Sequence, residues 1–190
     1  MKKLSQYIFL FLIWCNVGFT ATLISLNDLK LNANIDDYFF NQEITEFNYE
    51  GNGYGSSSNY SLLFIPLNKL KDKKYDSLTI AFSNNSKKIS YYAGFVEGFK
   101  NLNECLDFRD KQVSKSKKEF LLHKRKNETN KHSDGIIQQT VRFTSIKSAA
   151  GFSCDYFEEE KNSRVDFRFD VLTNKFNDWV VKLNNTETTN

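Results

Sequence analysis

The sequence lacks any recognisable catalytic or cofactor motif. Gly51-Asn-Gly-Tyr-Gly has no lysine after its last glycine and opens no helix, so neither a P-loop nor a dinucleotide fingerprint fits, and a plain loop is expected. Gly-Phe-Ser-Cys-Asp around Ser153 lacks the second glycine of a nucleophile elbow. Histidine occurs only as His123 and His132, in a lysine-rich stretch without carboxylate or cysteine at ligand spacing. Asn32, Asn34, Asp36, Tyr38 and Glu43 fit a calcium-loop spacing, but Asp37 stands where that loop needs glycine for its sharp turn. No metal and no cofactor are expected. The one proline, Pro66, belongs at a sheet edge or a strand end.

Long apolar runs are also missing. The longest, Tyr7 to Trp14, is too short to span a bilayer, which takes roughly 20 apolar residues. It follows Lys2 and Lys3 and precedes small and polar residues at 16–22, the three-part layout of a secretory signal peptide over 1–21. Cys15 follows Trp14, and a lipidation site wants a small residue there. Export to the periplasm or the extracellular medium is therefore expected. The two remaining cysteines, Cys105 and Cys154, suit one structural disulfide in an oxidising compartment.

Aromatic residues are abundant: 18 Phe and 9 Tyr supply much of a core. A mature chain of about 170 residues is the usual size of one domain. We expect a single domain over 22–184, with 22–122 and 123–184 as two loosely similar halves, and a disordered tail at 185–190. Loss of Lys2 and Lys3 lowers the formal charge from +3 to +1. The charge is unevenly placed. Residues 27–50 hold six acidic side chains against Lys30, whereas 109–131 are strongly basic. Near-zero net charge argues against specific or general nucleic-acid binding by the chain, but it permits a local basic patch.

Hydrophobic periodicity gives an α+β class: mostly antiparallel sheet, one long central helix and a short C-terminal helix. Strands are expected at 23–31, 44–49, 60–67, 77–82, 88–99, 136–146, 149–157 and 164–172. In the hairpin 77–99, Ile89, Tyr91, Ala93 and Phe95 should share one face and Tyr92 and Val96 the other. A turn of helix is expected at 35–40. The long helix reads from Leu102 through Cys105, Leu106, Arg109 and Val113 to Phe120, capped by Asn101 or Asn103. A polar loop should cover 123–135. The C-terminal helix carries Phe176, Trp179, Val180 and Leu183 and is capped by Thr173 or Asn174.

The strongest surface feature is the basic tract Lys111, Lys115, Lys117, Lys118, Lys124, Arg125, Lys126 and Lys131. Such a tract is either a wet helix face with a solvated loop or a docking surface for something acidic. The sequence points to an exported, non-enzymatic interaction protein whose partner is an acidic protein. An extracytoplasmic hydrolase with a scattered site is the second option; a cleft gathering Asp155, Glu158 and a histidine would favour it. A binder of an anionic polymer or lipid surface, through the basic tract, is the third. Glu158-Glu159-Glu160 reads more simply as a soluble turn, because consecutive side chains point in different directions.

Overall fold

One sheet organises the molecule. Seven strands lie in the order β1-β2-β3-β7-β6-β5-β4, every neighbouring pair antiparallel. They are β1 (Tyr60–Pro66), β2 (Ser77–Ser83), β3 (Ile89–Phe99), β4 (Lys124–Lys131), β5 (Ile136–Thr144), β6 (Ser148–Phe157) and β7 (Val165–Thr173). Among the described residues three α-helices accompany them: α1 (Asn41–Phe47), α2 (Leu102–Ser116) and α3 (Asn174–Glu187). The structure is a computed structural model and describes residues 23–48, 59–132, 135–157 and 164–187, with side chains as far as 182. The expected signal peptide at 1–21, the glycine loop at 51–58, the glutamates at 158–160, the turn at 161–163 and residues 188–190 fall outside the described residues.

The fold is α+β, as the periodicity predicts. Strands β1–β3 form a meander, α2 crosses one face, and β4–β7 return as a second meander that closes on β3 through β7. Strict alternation explains the layering. Leu63, Ile65, Leu78, Ile80, Val141, Phe143, Phe152, Cys154, Val165 and Phe167 are buried together on the face that α2 covers. Cys105 lies on the first turn of α2 and is bonded to Cys154 of β6, with 6.0 Å between their Cα atoms. The α2 start is fixed by reciprocal hydrogen bonds. Glu104 N donates to Asn101 Oδ1 at 3.0 Å, and Lys100 N donates to Glu104 Oε2 at 3.3 Å. On the opposite face α3 packs Phe176 against Tyr60 and Tyr91, and Trp179 against Tyr60. Thr173 Oγ1 caps α3 by accepting from Phe176 N at 3.2 Å.

Several expectations need correction. Residues 23–31 are not a strand. Ser25 Oγ accepts from Asn27 N and starts a 3-10 turn, Leu26–Asp28, so Leu26 and Leu29 bury themselves at a three-residue spacing. The strand expected at 44–49 is, over its described residues, not a strand either. Phe40 N donates to Glu43 Oε2 at 3.0 Å and opens α1, where Ile44 and Phe47 share the inner side. The long helix stops at Ser116, and turns carry the chain onward from Lys117. The expected loop at 123–135 is mostly β4, an edge strand that alternation does not reveal because nearly all its side chains are exposed. Helix α3 runs to Glu187, into the segment expected to be tail.

The β2–β3 register shifts at its turn end. Ala81 faces Tyr91 but Phe82 faces Ile89, which leaves Ser90 as an inserted residue. Ile89 therefore joins the α2 side and Tyr91 the α3 side, rather than sharing a face as a plain alternation requires.

Candidate functional site

Two regions of the surface hold enough polar chemistry to act: the corner where α2 leads into β4, and the sheet face not covered by α2.

The corner begins with an anchor. Beyond Ser116 the chain turns on backbone hydrogen bonds from Glu119 N to Ser116 O and from His123 N to Phe120 O, both 3.0 Å. Phe120 drops onto the sheet, stacking on Phe143 at 5.1 Å and meeting Phe152 edge-on at 6.2 Å. Its neighbours cannot follow it. Leu121 is 76% exposed and Leu122 97% exposed, although the turn that presents them is pinned. Lys117, Lys118, Lys124 and Arg125 surround them in sequence and are all exposed. Glu119 stands exposed among them, and its charge also acts on Tyr92, whose phenol burial, then Tyr38, then Glu119 push up to about 12.

A second turn stands at the same end of the sheet. Lys124 pairs with Thr144, so the β5–β6 hairpin tip (145–147) lies beside the start of β4. Ser145 Oγ accepts from Lys147 N and Ser148 N, and Asn174 Nδ2 donates to Ile146 O at 2.8 Å. This tip is also held in place, and it leaves Ile146 94% exposed beside exposed Lys147.

The predicted basic residues are thus only partly gathered. Lys117, Lys118, Lys124 and Arg125 meet at the corner. Lys126 extends along β4, on the uncovered face of the sheet, and pairs with Glu128 at 3.3 Å. Lys111 and Lys115 lie back along the exposed side of α2, where Lys115 approaches the Lys74 loop closely enough to help burial lower the Lys74 ammonium. Lys131 sits at the far end of β4. Among the described residues, Lys117, Lys118, Lys124, Arg125 and Lys147 have no ion pair. Sequence reasoning missed Leu121, Leu122, Ile146 and Lys147. The available signal was large aliphatic side chains interrupting runs of lysine, serine and histidine.

The uncovered sheet face carries a charge ladder. Arg168 lies between Asp170 (3.5 Å) and Asp155 (4.0 Å), and Arg142 Nε donates to Glu128 at 3.1 Å. Gln138 Nε2 donates to Asp155 Oδ1 at 3.0 Å, and the buried Thr140 and Ser153 hydroxyls bond each other at 2.9 Å. Burial raises the Asp155 carboxyl, while Arg168 and the Gln138 hydrogen bond work against that rise. Gly151 makes room for Asp170: a Cβ there would stand 2.9 Å from Asp170 Oδ1. Where α3 leaves the sheet, a cavity of about 320 Å³ opens between Leu62, Tyr91, Arg142, Arg168, Phe176 and Val180.

The arginines of this face already face carboxylates, so it holds matched charge rather than a surplus. His132 is close enough for its charge to act on Asp155, but no hydrogen bond joins the two. Among the described residues no group of three or more His, Cys, Asp or Glu side chains is placed to hold a metal, and no helix is long and apolar enough to cross a membrane. The chain matches no protein-family model, no curated protein and no solved structure.

Proposed function

We propose that this protein is an exported, non-enzymatic interaction domain that docks through the α2–β4 corner onto an acidic surface. One observation carries the proposal: Lys117 and Lys118 on the turn after α2, Lys124 and Arg125 at the start of β4, and Lys147 on the β5–β6 turn stand at one end of the sheet with no ion pair among the described residues. A pinned charge cluster loses little conformational freedom on docking, and each basic residue near an anionic surface contributes about 1 kcal/mol. At the corner Glu119 is one acidic side chain against these five basic ones, and the carboxylates on the uncovered face are held by Arg142 and Arg168. A hydrolase would need Asp155 to meet Glu158 and a histidine. His132 is the nearby histidine, and Glu158 lies outside the described residues.

The test separates position from net charge. Retention of the mature protein on a poly-glutamate matrix is measured at rising salt for wild type, Lys117→Glu with Lys118→Glu, and Lys71→Glu with Lys73→Glu. The corner variant should bind about tenfold more weakly, while the control, with the same net charge, should bind like wild type. Equal loss in both variants, or in neither, would remove the corner as the docking site.

A further inference from the structure

We infer that the acidic surface this corner fits is a bilayer containing anionic phospholipid, with Leu121, Leu122 and Ile146 entering the interface and the lysines meeting headgroup phosphates. This rests on the acidic-docking proposal above and names its partner.

Three features of the corner favour lipid over an acidic protein. The first is shape. Leu122 and Ile146 are almost wholly exposed on the tips of two separate turns, so the apolar surface is a pair of protrusions. A protein partner would need matching pockets and a complementary interface of roughly 800 Å² per side. A bilayer interface deforms around any convex apolar tip. The second is composition. Stable attachment to a bilayer takes two weak signals together, apolar insertion and a polybasic collar, and both are present here within a few residues. Lysine stems also cover apolar surface while their ammonium groups reach outward to phosphate.

The third is direction. Both tips lie at the same end of the strands, as the Lys124–Thr144 pairing requires. The β2–β3 turn with Lys87 and Lys88, and the β7–α3 junction with Lys175, end there too, because Tyr91 pairs with Leu172 and Ser148 with Thr173. Insertion of the two tips would stand the strands on end above the membrane and bring these further lysines towards the headgroups. The two tips are fixed by Phe120 and by Asn174, so little ordering would accompany insertion.

The experiment is vesicle flotation of the full mature protein. Vesicles are phosphatidylcholine alone or phosphatidylcholine with phosphatidylglycerol in equal parts. Wild type should float with the anionic vesicles and not with the neutral ones. Leu121→Ser with Leu122→Ser, and separately Ile146→Ser, should each lower partitioning about tenfold. Both should keep the melting temperature and the poly-glutamate retention of wild type, since these side chains are exposed. Leu122→Trp should bind at least as well as wild type and show a blue-shifted emission on anionic vesicles. Undiminished flotation of the serine variants would overturn the insertion of these side chains. Poly-glutamate retention without any vesicle binding would overturn the lipid inference and leave an acidic protein as partner. Loss of neither binding in Lys117→Glu with Lys118→Glu would defeat both proposals.

Discussion

The two faces of the sheet solve the same burial problem differently. Under α2, alternate residues of all strands except β4 are apolar, and the helix, the N-terminal turns and a disulfide close over them. On the other face Phe64, Ala93 and Phe95 lie apart, and one apolar group packs together: Tyr60, Leu62, Ala81, Tyr91, Ala149 and Leu172. This group coincides with the footprint of α3. Beyond it, Arg142 and Arg168 lie over small polar residues, and hydroxyls and carboxylates complete the layer. One helix is enough for a face whose far half carries polar cover of its own.

Reduction or removal of the disulfide should test the first face and give the largest effect. Cys105 and Cys154 close a loop of 49 residues, and Cys105→Ala with Cys154→Ala should cost about 4 kcal/mol in urea unfolding. A loss close to zero would mean that apolar packing alone holds α2 on the sheet. Phe176→Ala tests the second face and should cost about 3 kcal/mol. Hydrogen exchange sharpens the contrast. Amides of α3 should lose protection, while those of α2 and β6 keep theirs unless the two faces unfold as one.

The smallest effect belongs to Asp155. Its folded pKa is raised by burial, so the folded state binds the proton more readily than the unfolded chain. Stability from this group is therefore greatest at low pH and falls as pH rises from the ordinary value of 3.8 through the raised one. Asp155→Asn keeps a partner for Gln138, should flatten that slope, and should stabilise slightly at neutral pH. An unchanged slope would show that the carboxyl is as well solvated in the fold as in the unfolded chain.

What could be read in advance follows the same division. Strands with one apolar face, β2, β5, β6 and β7, were legible, and so was the meeting of Cys105 with Cys154, because a helix stripe must lie on a sheet. The N-terminal segments misled because Leu26 with Leu29, and Ile44 with Phe47, alternate loosely enough to resemble strands while packing at helical spacing. The Ser90 bulge reassigned Ile89 and Tyr91 without leaving a mark in composition. At the corner, the charges were visible from sequence, but the exposure of Leu121, Leu122 and Ile146 was not. Exposure there depends on Phe120 and Asn174 reaching partners far along the chain.

Strand β4 has a bearing on how the molecule behaves in concentrated solution. It ends the sheet among the described residues, and an edge of this kind offers a row of backbone donors and acceptors to another copy of the chain. Lys-Arg-Lys-Asn-Glu-Thr-Asn-Lys guards that row by charge alone. Trimming its lysines to alanine would therefore do two things at once, weakening attraction to an acidic surface and uncapping a template for self-association. Glutamate substitutions at Lys117 and Lys118, off the strand, leave the guard in place, so a change they cause in binding is not mistaken for aggregation.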